Sequence, residues 1–356
     1  MAALSWIDPR DDVAGWARAL GVSVEACALL LDSDFIDLHL DLEVPVRVFG
    51  YDPGKHHGVS TQPPRFWRHT DYPRLRQAGF TGVVYDIATN PFRTWSDRLQ
   101  TTLRNVAAVQ KRIDAYPDDL ELVWDVAGYE RARAAGRTAF FLALQGGNAL
   151  LSDPTVLDGP LGRLLHRVTL VHLTSSRLGG TNSPAGRDRG CTDRGRDMVA
   201  RLNHARVLVD LAHAGRRTFW DALDVHDRSL PPIVSHTGVD AVRPHWRNVD
   251  DAQIRAIADR GGVVGVMYQS SFLAPGRRCP RSAIVDHLEH IVQVGGEEAA
   301  AIGTDYDGMI LPPHDLADVT HHPKLVQDML DRGWSHGRIR GILGKNYLRV
   351  VRSIRP

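Results

Sequence analysis

The amino-acid sequence predicts an α/β fold, and more specifically a (β/α)8 barrel. Eight short apolar or β-branched runs recur between residues 35 and 308, each with the length of a buried strand. Stretches with helical spacing of apolar residues separate several of these runs, which is the alternation typical of such a barrel. The predicted strands are residues 35–42, 82–88, 139–145, 167–173, 206–213, 231–237, 262–269 and 299–308.

A doubly wound open sheet is the alternative for this alternation. No GxGxxG motif follows the first predicted strand and no GxxxxGK(S/T) motif occurs, which disfavours a nucleotide-binding version of that sheet. The clearest predicted helices cover residues 97–116, 194–205 and 251–261, the last of which ends at a glycine. We expect residues 1–34 to form a helical extension packed on the barrel, and residues 35–356 to form a single barrel domain.

Composition and charge disfavour several classes of function. The net charge of +1 gives no support to nucleic-acid binding. The three cysteines lie far apart without a CxxC pair, so we expect neither a disulfide scaffold nor a zinc–thiolate site. The chain starts without a basic and then apolar leader, and no apolar run reaches the roughly 18 residues of a membrane span. We therefore expect a cytoplasmic protein with no membrane partner.

The stretch DLHLDL, residues 37–42, is the first indication of a functional site. Successive side chains of a strand point to opposite faces, so one face carries three leucines and the other carries Asp37, His39 and Asp41. Burying ionisable groups costs several kcal/mol unless they are paired or bind a metal ion. We therefore expect the polar face of this strand to face a metal.

Further histidines and acids stand near the ends of the other predicted strands, and a long Gly- and Arg-rich loop, residues 174–193, follows the fourth. The carboxyl ends of barrel strands share one face of the molecule, where active sites form. Two or three imidazoles with carboxylates suit Zn²⁺ or a similar divalent ion. The candidate residues are His39, Asp41, Gln145, His172, Asp210, His213, Ser235, His236 and Asp305.

Other polar residues have weaker indications. Asp37 is predicted either to bind the metal or to support a ligand. Asp307 is predicted either to support the site or to cap the segment that follows it. Four histidines lie in segments flanked by Pro or Gly and are expected at the surface: His56, His57, His321 and His322.

Taken together in chain order, these motifs resemble the membrane dipeptidase (renal dipeptidase, peptidase M19) family, a branch of the metal-dependent amidohydrolase-like barrels. The resemblance covers roughly residues 35–352, and the motifs are specific only as a set. They are DLHLDL, LQGGNAL, VTLVHLTSS, GCTDRGRDMVARLN, VLVDLAH, PPIVSHT, WRNVDD, IGTDYDG and GKNYLRV.

The resemblance implies a set of metal ligands. The family binds two zinc ions, so His39, Asp41 and Asp305 would hold one ion, and His213 and His236 would hold the other. In the family, a glutamate at the end of the third predicted strand bridges both ions. This sequence has Gln145 at that position, which is a departure from the family pattern.

The resemblance also implies the roles of the remaining residues. A metal-activated hydroxide would attack a dipeptide amide, with Asp305 moving the proton as base and then as acid. His172 would polarise the substrate carbonyl, and Arg247 would pair with the terminal carboxylate. The family accepts varied dipeptides, often with a D-residue on the C-terminal side, as well as cysteinyl-glycine-type substrates. Because its members are often dimers, a homodimer is also implied.

Two departures bear on the function. A glutamine offers one neutral oxygen and an NH₂ group that cannot bind a metal, so the second ion would lose its bridging carboxylate. Leu173 follows His172, where the family usually places an asparagine, and this affects the choice of substrate. Three hypotheses remain: a zinc-dependent dipeptidase, a biosynthetic enzyme that acts on an unusual amide with one metal, and an inactive binding protein.

Overall fold

A computed structural model describes residues 3–58, 66–88, 95–184, 186–276 and 278–355. Each of the eight predicted runs overlaps a strand, and the strand of the fourth run begins two residues before that run, at Leu165. Sequence reasoning missed one further short strand, LELV, whose two middle residues are only half-buried. The strands are β1 (Ile36–Leu40), β2 (Gly82–Ala88), β3 (Leu120–Val123), β4 (Thr138–Gln145), β5 (Leu165–Thr169), β6 (Leu208–Asp210), β7 (Val234–Thr237), β8 (Val264–Val266) and β9 (Ala300–Ile302).

Helices lie between the strands and at both ends of the described chain. Short 3₁₀ helices cover Pro9–Asp12, Gly147–Leu150, Pro154–Asp158 and Val319–His321, and a π-helical turn covers Gly341–Lys345. The α-helices are α1 (Val13–Leu20), α2 (Val24–Leu31), α3 (Glu43–Phe49), α4 (Tyr72–Gln77), α5 (Trp95–Ile113), α6 (Val126–Ala134), α7 (Pro160–Leu164), α8 (Asp193–His204), α9 (Arg216–Val225), α10 (Asp251–Ala258), α11 (Ser270–Leu273), α12 (Ser282–Gly295), α13 (His322–Asp331), α14 (His336–Arg340) and α15 (Asn346–Ile354).

All strand pairings are parallel, and they form two curled sheets. The first has the order β1-β2-β4-β5-β6, with β3 paired to β4, and the second has the order β7-β8-β9. Isolated parallel bridges join Asp210 to Ile233, just before β7, and Leu40 to Tyr306, just after β9. The prediction of an α/β fold with a parallel sheet is therefore confirmed.

Strand β4 shows why the predicted strands contain few polar residues. Both of its faces are covered: Phe140 and Leu142 belong to the larger apolar core, whereas Ala139 and Phe141 pack in a second cluster with residues of α15. Parallel strands covered on both faces read as continuous apolar runs. Helix α2 contributes Leu29 and other residues to the larger core. The domain boundary between residues 34 and 35 stays a prediction.

Two buried aspartates join segments that are distant in sequence. Asp37 accepts hydrogen bonds from the backbone N–H (2.8 Å) and the hydroxyl (2.6 Å) of Thr304, which places the end of β9 beside β1. Asp307 accepts hydrogen bonds from the backbone N–H of His69 (3.0 Å) and of Thr70 (3.1 Å), ahead of α4. Asp307 therefore holds a neighbouring loop.

The surface prediction for the four loop histidines is only partly right. His56 is exposed, and His57 and His321 are half-buried. The prediction for His322 is wrong, because its ring is buried and packs 5.0 Å from the ring of Phe35. Its Pro-flanked segment begins α13, whose inner face is apolar. In the described ranges, the structure has no helix of the length and apolarity that crossing a membrane requires.

Glycines allow the strands near the site to approach closely. A Cβ atom built on Gly303 would lie 1.9 Å from the backbone oxygen of Ser235, and one on Gly265 would lie 2.0 Å from it. Backbone atoms at such distances cannot move aside as a flexible side chain can. Only glycine therefore fits at these two positions, next to the strand that carries His236.

We expect Gly303→Ala to lower the free energy of unfolding by about 1–3 kcal/mol, because the added methyl group forces strands β7 and β9 apart. Gly337→Ala is the matched control: this glycine is exposed in α14, and its Cβ would meet nothing closer than 3.7 Å. The control should raise stability by about 0.5–1 kcal/mol. Urea unfolding measures both, and equal effects would contradict the close approach.

Candidate active site

The candidate residues converge at the carboxyl ends of the parallel strands. His39 lies in β1, Gln145 ends β4, and His236 lies in β7. His213 follows β6 and Asp305 follows β9, each by three residues. All five are buried. The structure thus brings residues far apart in sequence into one polar cluster, on the side where parallel sheets bind ligands.

Three of these side chains offer donor atoms to a common centre. One donor atom from each of His39, His236 and Asp305 lies within 4.8 Å of the others. The His39 Nε2 atom is 3.6 Å from an oxygen of Asp305 and 3.6 Å from an oxygen of Asp41. Two ligands of a tetrahedral zinc ion stand about 3.4 Å apart, given bonds of about 2.0–2.2 Å. The spacing therefore fits a divalent ion.

Gly308 leaves room for the two carboxylates. A Cβ atom at this position would lie 2.3 Å from an Asp305 oxygen and 2.8 Å from an Asp41 oxygen. The other oxygen of Asp41 is buried and accepts no hydrogen bond from the described residues. A buried carboxylate oxygen without a donor is costly unless a cation satisfies it. This is a second observation that fits a metal ion.

The charges of the site favour a cation at the same place. Burial raises the pKa of both Asp41 and Asp305, and each of these pKa values is raised further by a neighbouring carboxylate. Burial lowers the pKa of His39, but the carboxylates of Asp86 and Asp41 outweigh burial and raise this pKa to about 10. The site therefore stabilises positive charge next to the His39 ring.

A buried arginine, Arg167, pairs with two aspartates next to the polar cluster. The Arg167 guanidinium pairs with both Asp86 and Asp210, and all three side chains are fully buried. Burial alone would raise the pKa of the two carboxyls, but Arg167 lowers both pKa values below their ordinary range. Both aspartates are therefore ionised, and they can accept hydrogen bonds from the residues of the site.

These aspartates determine how two of the histidines are protonated. The Nδ1 atom of His39 lies 3.1 Å from an Asp86 oxygen, so Nδ1 donates and Nε2 faces the site. The Ser235 hydroxyl donates to Asp210 at 2.6 Å and therefore accepts from the Nδ1–H of His236 at 2.8 Å. Both imidazoles thus turn Nε2 towards the common centre, as metal-binding histidines with a fixed outer partner do.

Local structure places His213 in the site. Asp210, the last residue of β6, accepts a hydrogen bond from the backbone N–H of Ala212 (3.0 Å), which turns the chain. His213 then adopts a left-handed backbone with φ of 64°, and Asp305 does so with φ of 59°. Such a conformation costs a residue other than glycine about 1–3 kcal/mol and is often found at functional sites. The surrounding turns hold both residues in this conformation.

Gln145 lies between two histidine rings. Its side-chain nitrogen is 3.2 Å from His39 Nε2 and 3.4 Å from His213 Nε2. The Nε2 atoms of His213 and His236 are themselves 2.9 Å apart. Burial, then neighbouring cations, lower the pKa of His213 and of His236 well below its ordinary value, so both rings are neutral.

His172 and Arg247 lie at the edge of the cluster. The His172 ring stands perpendicular to that of His213, with centroids 4.8 Å apart, and burial and His39 lower the pKa of His172 to about 3. Arg247 is 2% exposed and lines a cavity of about 190 Å³ together with His213. Asn248 and the capping box at Asp250 hold its loop against neighbouring segments.

Arg247 is a buried cation without a carboxylate partner. Among the residues that the structure describes, the only hydrogen bond of its side chain goes to the His236 backbone oxygen at 2.8 Å, and it forms no ion pair. Burial lowers its pKa to about 10, although the more distant Asp305 and Asp210 oppose this shift. A buried charge is costly unless it is paired, and the described residues leave this cost uncompensated.

Sequence reasoning missed Asp86 and Arg167. Asp86 is the one acid of the largely apolar strand GVVYDIA, and Arg167 is the one arginine of the fully buried strand LHRVT. A charge in such a run signals an inward-facing ionic network, and this signal was available. It did not reveal which residues pair, because that depends on the order of strands in the sheet.

An α/β chain with imidazoles and carboxylates at the ends of its parallel strands has the arrangement of a metal-dependent hydrolase. Residues 24–355 match the family model described as Membrane dipeptidase (Peptidase family M19). The chain therefore belongs to this family, as the sequence motifs predicted.

Solved structures share the fold. An amidohydrolase from Pseudomonas aeruginosa is 23% identical with a TM-score of 0.76, over 92% of this chain and 98% of that one. The probable dipeptidase PvdM from the same organism is 14% identical with a TM-score of 0.83, over 95% and 98%. A metallo peptidase from Rhodobacter sphaeroides, liganded with a phosphinate mimic of the dipeptide L-Ala-D-Ala, is 22% identical with a TM-score of 0.78, over 90% and 99%.

We expect Arg167→Met to lower the free energy of unfolding by about 3–5 kcal/mol, because it leaves two buried carboxylates without their cation. Arg352→Met is the matched control, since this exposed arginine pairs with Glu130 at the surface. The control should cost at most about 1 kcal/mol. Urea unfolding of both variants measures the difference, and similar losses would mean that Arg167 does not hold the network together.

Proposed function

We propose that the protein is a metal-dependent dipeptidase that cleaves a dipeptide, or a closely related amide with a free carboxylate. The observation that carries this proposal is the buried, unpaired Arg247 cation beside the cluster of His39, His236 and Asp305. A planar guanidinium suits bidentate pairing with a carboxylate. The family membership supports the same activity.

The donor set fits one divalent ion, for which zinc is our proposal. His39, His236 and Asp305 would bind it and leave a position open for water or substrate, and the buried carboxylate of Asp41 would add negative charge beside the ion. When bound, the ion would supply a Lewis acid that polarises a carbonyl group and lowers the pKa of water. Mixed imidazole and carboxylate ligands are those that zinc accepts in hydrolases.

The chain's own residues account for substrate binding and proton movement. Arg247 binds the terminal carboxylate, and the neutral His172 donates an N–H hydrogen bond to the oxygen of the scissile amide. Asp305, whose carboxylate oxygen lies 3.6 Å from His39 Nε2 in the cluster, takes a proton from the attacking water. The water oxygen bonds to the amide carbon, the C–N bond breaks, and Asp305 returns the proton to the departing amine nitrogen.

We also propose that the two sheets form one closed eight-stranded barrel, with β3 outside the ring. Hydrogen bonds from Leu211 to Ile233 (2.8 Å) and from Asp305 to His39 (3.0 Å) support closure at the two seams. A closed barrel brings the carboxyl ends of all eight strands to one mouth. The site residues on β1, β4 and β7 would then surround a common centre.

Removing the metal should abolish hydrolysis. We expect a strong chelator, followed by desalting, to reduce turnover of a panel of L,L- and L,D-dipeptides by at least about 100-fold, and zinc to restore it, because the ion supplies several kcal/mol of transition-state stabilisation. Amino-acid release, followed by chromatography, measures the turnover. Full activity after the metal content has fallen to zero would contradict the proposal.

Arg247 should determine the requirement for a carboxylate. We expect Arg247→Ala to lower kcat/KM for a dipeptide by about 100-fold or more, since a buried charge pair that loses one partner costs about 3–5 kcal/mol. The same dipeptide with a C-terminal amide should be a poor substrate for both proteins. Arg255→Ala, at an exposed arginine on α10, is the control and should leave both rates unchanged. An equal loss on acid and amide would rule out the carboxylate clamp.

A further inference from the structure

We propose that the site holds a single divalent ion, and that the Gln145 amide and His213 stand where a second ion would otherwise bind. This inference rests on the metal dependence proposed above and concerns its stoichiometry. It departs from the two-ion arrangement that the family resemblance implies. Three independent features of the site support it: the count of donors, the position of the amide and the balance of charge.

The count of donors leaves too few ligands for a second ion. The resemblance assigns His213 and His236 to the second ion. His236 already belongs to the three-donor cluster with His39 and Asp305, so only His213 remains for a second ion. Zinc sites in proteins usually have three or four protein ligands. A bridging carboxylate could serve both ions with its two oxygens, but glutamine has a single oxygen. One imidazole and one neutral amide oxygen do not make a second site.

The position of the amide suits hydrogen bonding to imidazole. The Gln145 nitrogen is within 3.4 Å of the Nε2 atoms of both His39 and His213. When the Nε2 of His39 binds an ion, the amide N–H can still donate to the Nε2 lone pair of His213. An N–H donor and a metal ion compete for the same lone pair. Either orientation of the amide lacks the anionic oxygen that a second cation requires.

The balance of charge also favours one ion. Two carboxylates, Asp41 and Asp305, face the centre, and together they neutralise one dication. Asp86 and Asp210 add two further negative charges, which the positive charges of Arg167 and Arg247 balance. These residues are therefore neutral as a group with one ion bound, and the charge of a second dication would be uncompensated in a buried site, which is strongly disfavoured.

The two imidazoles that a second metal ion would require, His213 and His236, are therefore not equivalent. His236 is fixed through Ser235 and Asp210 with its Nε2 directed at the three-donor centre. His213 stands in the wall of the cavity with Arg247, and its Nε2 lies 3.4 Å from the Gln145 nitrogen. A mononuclear site predicts that only one of them is needed to bind the metal, whereas a dinuclear site needs both.

Metal content separates the two arrangements. The purified chain, loaded with Zn²⁺ and dialysed, should contain one ion by elemental analysis. Gln145→Glu should contain two, because the new carboxylate restores a bridge and adds one negative charge. Gln145→Met, which is of similar size but has no donor, is the matched control and should contain one. In parallel, Mn²⁺-loaded samples should give an isolated-ion electron paramagnetic resonance signal, and a spin-coupled signal in Gln145→Glu alone.

The histidines provide a second measurement that does not depend on Gln145. We expect His236→Ala to weaken Zn²⁺ binding by more than about 100-fold, since it removes a direct ligand, and His213→Ala to weaken it by less than about 10-fold, which is the lower end of the effect of outer partners. Circular dichroism and thermal melting confirm that each variant is folded.

Two ions in the natural chain, or equal losses in the two histidine variants, would overturn the inference while leaving the dipeptidase proposal intact. No bound ion at all would overturn both the inference and the proposed metal dependence. One ion without dipeptide turnover would support the inference and count against the proposed substrate. The failures of the two proposals are therefore distinguishable.

Discussion

The ion pairs of Arg167 with Asp86 and Asp210 are the constraint on which the rest of the site depends. Three fully buried charges can remain in the interior only because each has a partner at contact distance. The two carboxylates then hold His39 directly and His236 through Ser235. Arg167 carries one positive charge against the two negative charges of Asp86 and Asp210, so the group keeps one negative charge beside the His39 ring.

This network explains why the strands are apolar near their amino ends and carry polar residues further along. Residues near the amino ends of β1 and β4, such as Ile36 and Phe140, pack in the apolar cores. The network and its neighbours take the polar inward positions further along the strands, and Gly265 and Gly303 let the strands approach closely beside Ser235. The fold thus provides an apolar support for the buried charged layer, and hydrogen bonds in such surroundings are stronger than in water.

The sequence predicted much of this arrangement, because parallel strands leave a strong apolar signal and metal-type residues recur at their ends. It missed β3, whose middle residues are half-exposed, and it misplaced His322, whose Pro-flanked segment begins a buried helix. It also could not show that Asp86 and Arg167 meet. That contact depends on β4 lying between β2 and β5, and strand order is a property of the whole sheet.

Gln145 and Arg247 together indicate how the charge of the site has been distributed. A neutral amide where the family resemblance implies a carboxylate gives the centre one negative charge fewer. Arg247 contributes a positive charge that forms no ion pair with a carboxylate of the described chain. With one ion bound, its guanidinium would still lack a carboxylate at contact distance, and the carboxylate of the proposed substrate would supply one. Anion recognition and metal stoichiometry would then be linked, because a second dication would add two uncompensated charges close to the same arginine.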